Sequence, residues 1–432
     1  MDNVNGQPLG GVTFEIRKLD LDLSDPADWA RIPASAADVN TVDFDQDFEA
    51  RTTVTAEGTG IAAFDDLDLG VYVVTETAAP AGVVRAAPFI VTLPMSNPDG
   101  NGWNYNVHAY PKNSTLEAVK EVSDADQQLG QNITYTLRTP IPTLRGDQSV
   151  NKYIIRDDYD QDKLTLQPGT IALSIGDNQV PRTHYDVSFD PNEGLLTITF
   201  NDFTMLNNPD NQGLQVVTTF EAEVTASGTI VNKGEVVVNN PDTDEDVTTP
   251  TNEVVTYYGN VRVIKRSAGE NLPLSGAKFN LYRANQAGEC VDAELNETTQ
   301  VTVGEGDAAT TEWVTGDNGE VTIRGLHATD FEDNAGGVNK AFCLKEIEAP
   351  AGFSTPQGQE AVTRFQVASP ERGENGAPSQ TIITTDVEVE NVKQDTPNLP
   401  MTGGIGVGIL AAFGAAIVAA GAWFARRNSA NA

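Results

Sequence analysis

Apolar and polar residues alternate along most of this 432-residue chain. Ile133, Tyr135 and Leu137 are interleaved with Thr134 and Thr136, and Leu196, Ile198 and Phe200 with Thr197 and Thr199. Val216, Phe220, Ala222 and Val224 share one side of an extended segment. Successive strand side chains point to opposite faces, so this period of two predicts strands with one buried side. Turn-rich segments separate them, and no long stretch of helical period precedes residue 404. Short strands at this spacing predict tandem β-sandwiches. One short helix is predicted at Asp25-Pro26-Ala27-Asp28-Trp29, where proline occupies a helix start. The pattern changes at the end. Residues 404–425 form an uncharged apolar run, followed by Arg426 and Arg427. Its length predicts a single membrane-crossing helix, with the two arginines held on the cytoplasmic side.

A long internal repeat divides the chain. The segment Gly6-Gln7-Pro8-Leu9-Gly10-Gly11-Val12-Thr13-Phe14 recurs as Asn271-Leu272-Pro273-Leu274-Ser275-Gly276-Ala277-Lys278-Phe279. Residues 71–82, VYVVTETAAPAG, likewise recur at 341–352 as AFCLKEIEAPAG. Order and approximate separation are kept, so two units of one type flank a different middle one. The expected domains are 1–112, 113–258 and 259–393. Residues 394–432 add a polar tether with Pro397, the pentapeptide Leu399-Pro400-Met401-Thr402-Gly403, the apolar span and the basic tail.

Charge narrows the function. With 27 basic against 62 acidic residues the formal net charge is -35. Such a surface argues against nucleic acid, which needs a cationic face, and fits a soluble, self-repelling exterior. The three histidines, His108, His184 and His327, have no ligand spacing. The acidic run Asp157, Asp158, Asp160 and Asp162 fails the EF-hand pattern, with Lys163 where the turn glycine belongs and Gly169 where the bidentate glutamate belongs. No Ser/His/Asp set, phosphate loop or CxxC pattern occurs. No enzyme activity, metal or cofactor is therefore assigned. The two cysteines, Cys290 and Cys343, fall in the same repeat unit, and in an exported chain they are expected to pair. The start, Met1-Asp2-Asn3-Val4-Asn5-Gly6, lacks a basic and apolar export signal. For a surface protein, that signal is expected ahead of this sequence or already removed.

Pentapeptide, span and basic tail together resemble the LPxTG cell-wall sorting signal of Gram-positive surface proteins. The resemblance implies that a sortase cuts between Thr402 and Gly403, holds the Thr402 carbonyl as a thioester and discards the span. Leu399, Pro400, Thr402 and Gly403 are then its recognition residues, and the cell wall peptidoglycan is the final acceptor. Both repeat units resemble Cna protein B-type domains, immunoglobulin-like sandwiches marked by an E-box. The first unit matches at Tyr72, Glu76, Thr77, Ala79, Pro80 and Gly82; the second at Leu344, Glu346, Ala349, Pro350 and Gly352, with Phe342 and Ile347 departing. The middle segment resembles, more weakly, a D2-type fimbrial domain. Trp103, Val107, Tyr110, Pro111 and Lys112 match the WxxxVxVYPK motif of shaft pilins, with Ala109 in place of its second valine. In that family the motif's lysine attacks the thioester of another subunit, which points to Lys112.

These domains also imply self-formed isopeptide bonds. A buried lysine is held neutral beside an electrophilic asparagine carboxamide, and a buried carboxylic acid between them keeps its proton and polarises the amide oxygen. By resemblance, Lys265 and Asn391 are the partners promoted by Glu346. In the middle segment, Lys120 is promoted by Asp157, with Asn232 as the preferred acceptor and Asn252 the alternative. Glu76 finds no lysine ahead of Lys18, and Lys18 follows the repeat motif instead of preceding it. No bond is assigned to Glu76.

The whole resembles a major shaft pilin of sortase-assembled Gram-positive pili. Its expected partners are copies of itself, a sortase, peptidoglycan and separate tip or base pilins; its expected place is the cell surface. The competing reading is an adhesin anchored singly to the wall on a Cna-type stalk. The motif ending at Lys112 separates the two, since a stalk has no use for it.

Overall fold

The computed structural model describes residues 7–97, 102–144, 148–240, 245–332, 335–370, 379 and 381–394. Among the described residues the regular structure is almost entirely β. The alternations read from sequence form strands: Asn132–Pro140 and Gln215–Val224 pair antiparallel, and each buries every second residue. Leu195–Phe200 buries Leu196, Ile198 and Phe200. The expected helix spans Pro26–Trp29, with the Asp25 side chain accepting from the Ala27 N–H at its start. Among the described residues no helix is long and apolar enough to cross a membrane. The expected span at 404–425 and the sorting pentapeptide lie outside the described residues.

The first unit is built on a four-stranded sheet ordered Arg51–Val54, Thr13–Lys18, Gly70–Ala78, Phe89–Leu93. Gly70–Ala78 is buried on both faces. Tyr72 and Val74 pack with Phe14 and Ile16, while Val71 and Val73 pack with Leu19 and Val42. A strand covered on both sides reads as a continuous apolar run, which is why Val71-Tyr72-Val73-Val74 lacks alternation.

In the middle unit, two sheets share one core. The five-stranded sheet runs Asn178–Gln179, Leu164–Ile175, Gln215–Val224, Asn132–Pro140, Val119–Ser123. Opposite it lie Tyr185–Asp190, Leu195–Phe200, Tyr153–Tyr159, Gly228–Asn239 and the start of Val254–Ser267. That 14-residue strand crosses the expected joint without a break. Its first residues pair with Gly228–Asn239, and from Tyr258 onward it pairs with Glu320–His327 and, in parallel, Thr384–Asn391.

The last unit repeats the first in register. Glu312–Val314, Lys278–Arg283, Ala341–Glu348 and Val362–Gln366 form its four-stranded sheet. Phe14 stands opposite Glu76 and Phe279 opposite Glu346, and in each pair the register shifts at the residue before the phenylalanine. Thr55 and Thr315 also play one part: each hydroxyl accepts the backbone N–H of the residue two before that phenylalanine, Val12 or Ala277. Gly82 and Gly352 close the two Ala-Pro-Ala-Gly turns at φ +76° and +87°, a left-handed conformation that glycine adopts without strain.

Candidate functional site

Three buried carboxyl groups organise the chemistry. In the middle unit, Lys120 lies on the inward face of Val119–Ser123 and Asp157 on the inward face of Tyr153–Tyr159. The two strands belong to opposite sheets, so the side chains meet in the core; Lys120 is 0 % exposed and Asp157 1 %. The lysine Nζ donates to Asp157 Oδ2 and, at 2.9 Å, to the Asn232 carboxamide oxygen. Tyr135 and Phe220 stack their rings near the amine at 5.1 and 5.6 Å. Burial lowers the pKa of Lys120 and raises that of Asp157, each opposed by the charge of the other. Both shifts favour the uncharged pair.

Asn252 does something else. Its carboxamide accepts the Lys120 backbone N–H at 2.8 Å and donates to the Lys120 carbonyl at 3.0 Å. It fixes the lysine's backbone, whereas Asn232 faces the lysine's amine. The remaining aspartates of the acidic run point away: Asp160 pairs with Lys163, and Asp158 lies 3.9 Å from Lys233.

The last unit holds a matching set. Lys265 donates to Glu346 Oε2 at 3.0 Å, and both side chains are 0 % exposed. Asn391 sits two residues beyond Val389, the parallel-strand partner of Lys265; it is buried, its carboxamide donates to the Ser354 carbonyl at 2.9 Å, and it lies close enough to Glu346 to hold that pKa down against burial. Burial again raises the carboxyl pKa and lowers that of the lysine. Among the described residues, buried Glu346 Oε1, Asp157 Oδ1, Asn391 Oδ1 and Asn232 Nδ2 find no hydrogen-bond partner. Leaving such atoms unpaired is costly.

Nearby, Cys290 and Cys343 form the expected disulfide, with Cα atoms 5.5 Å apart. Cys343 belongs to the strand that carries Glu346, and the bridge packs with Tyr282 in a small separate cluster.

The third carboxyl is Glu76, 3 % exposed. Sequence reasoning left it without a partner. The structure gives its carboxyl hydrogen-bond donors rather than a lysine: Asn113 Nδ2 donates to Glu76 Oε2 at 2.7 Å, and the Ala86 N–H donates to the same oxygen at 3.0 Å. Asn113 directly follows Lys112, and that adjacency was the only available signal. Burial raises the Glu76 pKa against the hydrogen bonds from Asn113 and Ala86. Lys112 itself is exposed, on irregular backbone between Trp103–Asn104 and Ser114–Thr115. Trp103 packs against Trp29 with ring centroids 5.5 Å apart, and Tyr105 and Tyr110 stand exposed between it and the lysine.

Comparison with known proteins places the chain by sequence and fold. Residues 2–114 match the family model described as Gram-positive pilin subunit D1, N-terminal domain. The chain is 36 % identical to the full-length major pilin SpaD from Corynebacterium diphtheriae, covering 92 % of each chain at a TM-score of 0.70. The fimbrial protein FimP from Actinomyces oris aligns over 91 % of this chain and 94 % of its own, at 25 % identity and a TM-score of 0.59. The type 1 fimbrial subunit of Actinomyces viscosus is 29 % identical over 98 % of this chain and 85 % of its own length.

Proposed function

This chain belongs to the Gram-positive major pilins and is a structural shaft subunit of a cell-surface pilus; from that premise we propose that Lys112 is the residue through which it polymerises. A sortase cleaves the Thr402–Gly403 bond and holds the Thr402 carbonyl as a thioester. The Lys112 amine of another subunit attacks that carbonyl, an amide forms, and the enzyme thiol leaves. Lysine suits the task because its amine stands on a long flexible stem and loses its proton more readily than a guanidinium does. The last subunit passes its Thr402 to peptidoglycan, which anchors the fibre to the wall.

Two internal cross-links complete the subunit. The neutral Lys120 amine attacks the Asn232 carboxamide carbon while protonated Asp157 polarises the carboxamide oxygen; ammonia leaves and an amide joins the two side chains. Lys265, Asn391 and Glu346 react in the same way. The observation that carries this reading is the buried contact of lysine with both carboxylic acid and carboxamide in the middle unit, together with the buried Lys265–Glu346 contact beside Asn391 in the last.

Polymerisation is tested by expressing Lys112→Arg in a host with a pilus-type sortase and running wall extracts on a denaturing gel. Wild type gives a high-mass ladder and Lys112→Arg only monomer, still wall-linked through Thr402. A ladder undiminished in Lys112→Arg would assign the linkage to another lysine, and a single band from wild type would favour the singly anchored stalk.

A further inference from the structure

The core around Lys120 holds one more polar group than the cross-linking reaction has used. Tyr135 lies on Asn132–Pro140, the strand paired with Val119–Ser123, two residues before the Leu137 that stands opposite Lys120. Both side chains occupy the inward face of one sheet, and Tyr135 is 1 % exposed. Its ring lies 5.1 Å from the Lys120 amine. Asn232, on the facing sheet, is close enough to oppose the effect of burial on the tyrosine. Burial is the larger effect and pushes the Tyr135 pKa well above the ordinary tyrosine value, so the hydroxyl keeps its proton. A protonated phenol can donate a hydrogen bond. Among the described residues Asn232 Nδ2 finds no partner, which leaves the carboxamide oxygen as the atom this hydroxyl can serve. That oxygen already accepts from Lys120 at 2.9 Å. The last unit differs: the ring beside the Lys265 amine is Phe279, at 5.9 Å, with no hydroxyl to offer.

That hydroxyl has a chemical use. As the Lys120 amine adds to the carboxamide carbon, the carboxamide oxygen gains negative charge in a site without water, where a fixed donor is most effective. We propose that Tyr135 is a catalytic residue of the middle-unit cross-link: its hydroxyl donates to the Asn232 carboxamide oxygen and, with Asp157, stabilises the charge that gathers there. The inference rests on the Lys120–Asn232 bond being formed. In that step the Nζ–Cγ bond forms and the Cγ–Nδ2 bond breaks. One amine proton stays on the new amide; the other passes through Asp157 to the leaving nitrogen, which departs as ammonia. Tyr135 ends with the proton it began with.

The test makes the full chain by cell-free synthesis, quenches samples in acid at intervals and counts the branched Lys120–Asn232 and Lys265–Asn391 peptides after digestion. The last-unit product serves as a clock within the same molecules. Tyr135→Phe keeps the ring and removes only the hydroxyl; it should slow the middle-unit product roughly 100-fold and leave the last-unit product unchanged. Phe220→Leu removes ring area 5.6 Å from the same amine but no donor, so its middle-unit rate should stay within about threefold of wild type. A rate within about threefold of wild type in Tyr135→Phe, an equal loss in Phe220→Leu, or a matching loss in the last unit would overturn the assignment. Should Tyr135→Phe lose its cooperative thermal melt, 3-fluorotyrosine placed at position 135 decides. Its ring is nearly the same shape and its hydroxyl a stronger donor, so the middle-unit product should form faster than in wild type; an unchanged or slower rate would overturn the assignment. Wild type yielding no Lys120–Asn232 product would instead overturn the reading on which it rests.

Discussion

Two lysines, Lys120 and Lys265, are fully buried, a placement that is destabilising for a charged amine unless it is paired or neutral. Each faces one carboxyl group, and burial moves both partners toward their uncharged forms. Such an arrangement is poor as a salt bridge and good as a reactant pair. Intact-mass measurement of the folded chain should therefore show two ammonia equivalents missing. Glu346→Ala should restore one and Asp157→Ala the other, while Asn252→Ala leaves the middle-unit linkage on Asn232; a mass equal to the unmodified sequence would exclude both cross-links. Glu76 gives a separate prediction in pH. Its folded pKa is raised by burial, so the folded state holds the proton more tightly than the unfolded one. Its contribution is fully present below the ordinary carboxylate pKa and is lost as pH rises through the raised value. Thermal melting of the first unit should lose stability over that window in wild type and less so in Glu76→Gln; identical pH profiles would contradict it.

At the scale of elements, the two outer units show how one strand pattern is used twice. The shared register, Phe14 opposite Glu76 and Phe279 opposite Glu346, puts the carboxyl on the inward face in both. Among the described residues, a buried lysine meets that carboxyl only in the last unit, where Lys265 donates to Glu346. The disulfide belongs to that unit too. Closing a loop with a sequence separation of 53 would contribute about 4 kcal/mol on the chain-entropy model. The proposed Lys265–Asn391 bond would enclose both cysteines and constrain the unfolded chain apart from the bridge. The double variant Cys290→Ser, Cys343→Ser should then cost less than that figure in urea unfolding of the cross-linked protein. In a Glu346→Ala background the cost should be larger. Equal costs would mean that the two closures do not share a loop.

Much of this architecture was legible in the residues. Alternation located Asn132–Pro140, Leu195–Phe200 and Gln215–Val224, because each buries one face. The repeat located the E-box strands even though Gly70–Ala78 is buried on both faces and shows no alternation. Pairing across sheets was less legible. Resemblance alone favoured Asn232 over Asn252; the fold sets the first against the Lys120 amine and the second against its backbone. The Glu76–Asn113 contact spans 37 residues and depends on the chain returning to its own first sheet after Lys112, which no periodicity announces.

For the whole molecule, the strand Val254–Ser267 joins the middle and last units without a loop. Leu129 packs into both cores, its N–H donates to the Gly325 carbonyl at 2.9 Å, and the Gly304 N–H donates to its carbonyl at 2.7 Å. Buried Asp124 and His327 meet across the same joint at 3.1 Å. Tension entering along Val254–Ser267 would cross at Lys265 to Asn391 and leave toward residue 394, passing over everything between them. Backbone bonds from Ser354 and Gln394 hold the exit, at Val392 and Gly352. From there the eight residues 395–402 can span about 27 Å at full extension, enough to carry Thr402 away from its own domain toward a neighbour's Lys112.

The most direct test is the linkage itself. Purified polymer is digested with trypsin and the branched peptides are sequenced by tandem mass spectrometry. The account predicts that residues 394–402, ending at Thr402, are joined by an amide to Nζ of Lys112, with Gly403 and everything after it absent. Thr402 joined to any other lysine, or polymer whose subunits separate into unmodified monomers, would contradict it.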